Sequence, residues 1–269
     1  MKELQMLKWK IDKNVIAELY YDGQNIINPW GFETADSSAF FSLEKGVGWR
    51  GNKLLEEYSF DERHYKAHVM TQMKEGKWEL FIEDNIIENT ITRKVEAVTL
   101  EDSVFMDFMM RFRFKKEFIE YAEIADQRFY HKNTNVYYQY PVDKVFLKGK
   151  GFDINISIID KIVPEKMEPV MYVRDNKNEW VVHVRMVPKK WDKEVIKICT
   201  AWAGTRSLPQ FISKPLLSIK AIKEALWYRG ERSPYKCRIF RRFINPCAFG
   251  MVKVKENSKL MWHVKMEIV

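Results

Sequence analysis

The sequence predicts a mostly β protein, a large antiparallel two-sheet sandwich with one C-terminal helix around residues 215–228. Three observations carry this expectation. One stretch alternates apolar and mixed side chains over eleven residues, several strand-like runs are joined by turn-forming tetrapeptides, and only one segment repeats convincingly at helical spacing. The first strand candidate is residues 40–43. Residues 66–73 and 78–83 flank Lys74-Glu75-Gly76-Lys77, a turn whose glycine accepts a positive φ, and predict a hairpin. Residues 91–99 are rich in β-branched side chains and run through Leu100-Glu101-Asp102-Ser103 into the alternating stretch, residues 104–114, predicting a second hairpin. Within that stretch Val104, Met106, Phe108, Met110, Phe112 and Phe114 share one face, leaving Asp107, Arg111 and Arg113 on the other.

Residues 118–128 fit neither period cleanly and are assigned to strand; residues 136–140 and 154–162 are further candidates. A third hairpin is predicted where residues 170–174 and 179–187 flank Asp175-Asn176-Lys177-Asn178. Trp180, Val182, Val184 and Met186 share its core face, with His183 and Arg185 opposite. In residues 195–202, Ile196, Ile198, Thr200 and Trp202 alternate. Leu216, Ile219, Ile222, Ala225 and Leu226 then recur at three- and four-residue steps, with Ser213 as a cap and Pro215 suited to the first turn of a helix. Residues 251–255 and 260–268, joined by Glu256-Asn257-Ser258-Lys259, predict a final hairpin. The expected organisation is a sandwich body, 1–204, with a basic segment, 205–269, packed on the same domain.

The 46% hydrophobic content is enough to offset the ordering entropy of a packed core, which excludes wholesale disorder. The net charge of +8 is unevenly placed. From Thr205 to Val269, 14 Lys and Arg face four Glu, whereas residues 1–204 hold 31 basic against 33 acidic side chains. The densest part interleaves Arg229, Arg232, Arg238, Arg241 and Arg242 with Tyr228, Tyr235, Phe240 and Phe243, directly after Trp227. Interleaving of this kind suits an anion that also has a flat or apolar face.

Cys199, Cys237 and Cys247 fit neither a zinc-ligand spacing nor a disulfide framework, and read as free thiols in a reducing compartment. Lys2, Glu3, Lys8 and Lys10 break up the first ten residues, and no window approaches the roughly 18 apolar residues of a membrane span; the expectation is a cytoplasmic protein. Phosphate-loop, GxSxG and HExxH motifs are missing, and no cofactor is expected. His64 and His68 would stand roughly 13 Å apart along a strand, so no metal site is expected either.

Two constellations remain. In Arg128-Phe129-Tyr130-His131, Tyr130 can exchange a proton and Arg128 can bind a carboxylate or hydroxyl, while His131 projects to the other side. His183 can serve as general base or acid with Arg185 stabilising negative charge. Trp30, Trp49 and Trp191 sit beside Gly, Pro, Lys or Arg, Trp227 lies two residues before Arg229, and all four suit stacking against sugar rings.

Residues 91–114, from Ile91-Thr92-Arg93 through the Glu101-Asp102-Ser103 turn to Arg111-Phe112-Arg113-Phe114, resemble the paired long strands of galactose-mutarotase-like supersandwich proteins. The resemblance spans about residues 85–187. It implies a sugar bound on a concave sheet and proton transfer by a histidine with a carboxylate or tyrosine, at His131 or His183 here. The first expectation is therefore a protein that binds or modifies an anionic or phosphorylated sugar by epimerisation, mutarotation or elimination. The second is a non-catalytic nucleic-acid-binding or assembly module working through the basic C-terminal segment.

Overall fold

The computed structural model describes residues 6–12, 15–32, 40, 51–73, 75–105, 107–133, 137–188, 196–199, 210–219, 221–222, 247–250 and 252–269. Strands dominate it, as the two-residue alternation requires. In chain order they are β1 (Lys8–Asp12), β2 (Val15–Tyr21), β3 (Gln24–Asn25), β4 (Ile27–Phe32), β5 (Gly51–Phe60), β6 (His64–Met73) and β7 (Gly76–Ile87). Then come β8 (Thr90–Thr99), β9 (Ser103–Phe105), β10 (Phe108–Lys115), β11 (Ile119–Ile124), β12 (Gln127–Tyr130), β13 (Tyr137–Tyr140) and β14 (Lys144–Gly149). The last are β15 (Ile154–Ile162), β16 (Met167–Asn176), β17 (Glu179–Pro188), β18 (Ile196–Cys199), β19 (Cys247–Gly250), β20 (Val252–Val254) and β21 (Lys259–Ile268).

An eight-stranded antiparallel sheet in the order β1-β2-β4-β10-β17-β16-β13, with β3 on β2, faces a nine-stranded one in the order β12-β11-β14-β15-β21-β8-β7-β6-β5. Small two-stranded ladders join β18 to β19 and β9 to β20. Apolar side chains from both large sheets form one core, including Trp78, Trp180 and Trp262, all fully buried. Phe40 stacks on Trp78 at 4.3 Å and on Phe108 at 5.3 Å. Trp262 Nε1 of β21 donates to the Phe108 carbonyl of β10 at 3.1 Å, which satisfies a buried indole and ties one sheet to the other.

Two predicted hairpins form. β6 and β7 meet at Gly76, whose φ of +153° suits glycine and where a Cβ would lie 2.1 Å from Ser103 Oγ. β16 and β17 meet at Lys177-Asn178, a turn two residues shorter than the predicted tetrapeptide. Two others do not form. β8 pairs with β7 and β21 in the nine-stranded sheet, whereas β10 pairs with β17 and β4 in the eight-stranded one. The alternating stretch is interrupted between β9 and β10, and the Asp107 N–H turns to the Phe40 carbonyl at 3.2 Å. The final pair is likewise divided, with β20 on β9 and β21 between β15 and β8. The reason lies in the two connections, which bind each other instead of closing turns. Thr99 Oγ1 donates to the Lys255 carbonyl at 2.6 Å, and the Glu256 N–H donates to Asp102 Oδ1 at 3.1 Å.

A helix, α1 (Gln210–Ser218), starts five residues before the predicted one and holds Pro215 in its interior. Pro209 precedes it directly in the sequence and offers the earlier start. Residues 223–228 of the predicted helix lie outside the described residues. No described helix is long and apolar enough to cross a membrane.

One pair in the core is charged. The register sets Tyr65, Asp84 and Arg93 in a row across β6, β7 and β8, and Asp84 and Arg93 are almost wholly enclosed. Arg93 Nε lies 3.6 Å from Asp84 Oδ1, and neither side chain makes a hydrogen bond among the described residues. Burial raises the Asp84 carboxyl to about 6, against the downward pull of Arg93. Between its ordinary value near 3.8 and about 6, the folded chain holds a proton that the unfolded chain has released. Stability therefore falls as pH rises across that window, by on the order of 3 kcal/mol from this group. Asp84→Asn, which cannot titrate, should lose this slope. Its unfolding free energy relative to the wild type should rise between about pH 4 and about pH 7, and parallel pH profiles in urea unfolding would refute the assignment.

Candidate functional site

β10, β17, β16 and β13 lie side by side, and their register builds rows of side chains across the eight-stranded sheet. Phe112, Val182 and Val173 form a row on the core face. Alternation then directs the neighbouring rows outward: Arg113, Val181, Arg174; Arg111, His183, Tyr172, Gln139; and Met109, Arg185, Val170. An outward face carrying this much charge is expected to be wet. Instead His183 is 0% exposed, Arg185 1%, Arg174 5% and Gln139 8%. Only Arg111 and Arg113, on β10, are half-buried.

The cluster is tightly bonded. Arg111 Nε donates to His183 Nε2 at 2.7 Å, and Tyr172 Oη lies 3.2 Å from the same nitrogen. Arg185 Nε donates to Asp107 Oδ2 at 3.0 Å, its Nη2 meets the same oxygen, and its Nη1 donates to Gln139 Oε1 at 3.2 Å. Its guanidinium also stands 5.4 Å over the Tyr172 ring. Arg113 grips Glu179 with two bonds of 2.9 and 3.1 Å. Burial would raise the Glu179 carboxyl, but the Arg113 fork and the Asn176 and Asn28 amides outweigh it and hold the carboxyl below its ordinary value. His183 is pushed the other way by two allied causes. Burial, and then the positive charges of Arg111, Arg185, Arg174 and Arg113, hold its pKa well below that of a free imidazole, so it is neutral. Its Nδ1 is buried without a hydrogen-bond partner among the described residues.

Of the residues singled out in the sequence, His183 and Arg185 thus come together, and Asp107, Arg111 and Arg113 join them. His131 does not. Its Nδ1 meets Asp175 Oδ1, and its ring packs on Trp180 at 5.9 Å. Asp175 pairs with Trp180 on the core-facing row, which sets His131 across the sheet from His183. Arg128 and Tyr130 lie on β12, an edge of the opposite sheet. There Arg128 pairs with Glu123 at 2.6 Å and stands 4.2 Å over the Tyr121 ring, and Tyr130 is 53% exposed.

Trp49, Trp191, Trp227, Arg229, Arg232, Arg238, Arg241 and Arg242, with the Trp30 side chain, lie outside the described residues. Tyr172, Arg174 and Gln139 escaped the sequence reading. The available signal was the spacing of Tyr172 and Arg174, two apart in the first arm of the hairpin that carries His183. Among the described residues, no group of three or more His, Cys, Asp or Glu could hold a metal ion. His68 instead pairs with Glu79 at 2.8 Å and stacks on Phe81.

Two large antiparallel sheets, joined by chain segments that pass from one to the other, give the chain a supersandwich fold like that of solved galactose-mutarotase-like proteins. It is similar in structure to the galactose mutarotase related enzyme from Lactobacillus acidophilus, at 10% identity and a TM-score of 0.54, over 99% of this chain and 96% of that one. It is also similar to a galactose mutarotase-like protein from Lactobacillus casei ATCC 334, at 8% identity and a TM-score of 0.50, over 98% of this chain and 97% of that one. At these identities the likeness is one of fold. No protein-family model matches the sequence, and no curated protein matches it significantly.

Proposed function

We propose that the chain binds an anionic or phosphorylated sugar against the outward face of β10, β17 and β16 and transfers a proton on it, by epimerisation, mutarotation or elimination. The observation that carries this reading is His183, a neutral and fully buried imidazole ringed by Arg111, Arg113, Arg174 and Arg185 on the face of a supersandwich sheet. Guanidinium groups bind carboxylate or phosphate through paired N–H donors and stabilise negative charge as it develops on oxygen. Asp107, Glu179 and Glu168 supply carboxylates on the same face, where Asp107 holds Arg185 and Glu179 holds Arg113. A ligand approaches past Arg111 and Arg113, the half-buried pair. The fold shared with an enzyme described as galactose mutarotase related supports a sugar over other anions.

The test is a thermal-unfolding screen of uronates and hexose phosphates beside neutral hexoses, followed by an NMR measurement of anomer exchange with any ligand that binds. An anionic sugar at about 100 times its Kd should raise the Tm by on the order of 5 °C. No shift with any anionic sugar would overturn the reading.

A further inference from the structure

We infer that Arg111 fixes the tautomer of His183, so that the ring presents a permanent Nδ1–H donor to an oxygen of its ligand and is not the proton-accepting base of the site. The ligand's role rests on the function proposed above, whereas the tautomer rests on geometry alone.

A guanidinium offers five N–H donors and no acceptor. Its Nε is 2.7 Å from His183 Nε2, so that ring nitrogen must supply a lone pair. A neutral imidazole carries one N–H, which leaves the proton on Nδ1. Moving it to Nε2 would point two N–H groups at each other across 2.7 Å, and an imidazolium would do the same. Tyr172 Oη, 3.2 Å from Nε2, can add a second donor to the same lone pair.

The groups facing the ring do not favour an added charge. They are Arg111 and Arg113 from β10, Tyr172 and Arg174 from β16, Arg185 from β17 and Gln139 from β13. The nearby carboxylate of Asp107 is held by Arg185. Arg111 is therefore a positioning residue that acts through His183.

The consequence falls on Nδ1. A buried N–H without an acceptor is costly and uncommon in folded proteins. His183 Nδ1 is such a donor among the described residues. A ligand oxygen placed there, whether from a carboxylate, a phosphate or a sugar ring, relieves that cost. A neutral imidazole used in this way polarises the oxygen without titrating near neutral pH. The proton acceptor of the reaction is then a different group.

The experiment is nitrogen NMR on the full chain labelled with 15N-histidine, followed from about pH 5.5 to about 8.5, where a free imidazole titrates. His183 should show a protonated Nδ1 and an unprotonated Nε2 throughout. A proton on Nε2, or titration within that range, overturns the inference. Arg111→Ala should leave a mixture of tautomers, and Arg111→Lys, which keeps a donor, should restore the single one. An unchanged tautomer in Arg111→Ala overturns the role of Arg111. Should the alanine variant fail to fold, the wild-type series and the lysine variant still decide. A protonated Nδ1 with no sugar binding in the thermal screen would sink the proposed function and leave the tautomer standing. Sugar binding with the proton on Nε2 would do the reverse.

Discussion

Asp107→Ala should destabilise the protein by roughly 3–5 kcal/mol, a large share of the roughly 5–15 kcal/mol that holds a typical domain together. The substitution strips the carboxylate from a guanidinium that is 1% exposed. Arg185 then keeps its charge in a low-dielectric setting, with the Gln139 amide dipole among its remaining contacts. Most of the cost is the stranded charge, and the pair itself contributes less than the cost of breaking it. The double variant Asp107→Ala with Arg185→Met should therefore recover a good part of the loss, because it removes the stranded cation as well. Urea unfolding followed by tryptophan fluorescence reads both values. Additive losses in the double variant would show that the two side chains act independently.

His183→Asn should lower the rate of proton transfer on the best-binding anionic sugar by about 100- to 1,000-fold, the scale seen when one preorganised donor at a reacting oxygen is removed. Asparagine is smaller and still polar, so stability should change far less than in Asp107→Ala. The loss should appear in kcat with little change in KM, because Arg111 and Arg113 remain to bind the anion. A variant with wild-type kcat would exclude His183 from the chemistry. An intact kcat with a raised KM would reduce it to a binding residue.

Alternation along a strand reveals which residues share a face, and this much was legible. β15 runs from Ile154 to Ile162 as the pattern indicates, and Trp180, Val182, Val184 and Met186 line the core with His183 and Arg185 opposite. What alternation does not carry is the identity of the partner strand. β8 and β10 look like the arms of a hairpin because a turn-like tetrapeptide joins them, yet they enter opposite sheets. The choice is made by contacts more than 150 residues away, such as Thr99 with Lys255 and Asp102 with Glu256. The same limit applies to the site. His183 and Arg185 could be read as a pair, but Arg111 and Tyr172 reach His183 only through register with two other strands. The supersandwich resemblance held at the level of fold even though the hairpin that suggested it did not form.

Strand β21 lies in the interior of the nine-stranded sheet, with β15 on one side and β8 on the other. β21 follows both β8 and β15 in the chain, so those two strands leave the ribosome with an empty lane between them. Until residue 268 has emerged, both carry unpaired edges that can capture a neighbouring chain, as exposed strands do. Closure of the sheet is therefore a late, long-range event, and a protein built this way depends on protection of those two edges during synthesis more than its finished sandwich suggests.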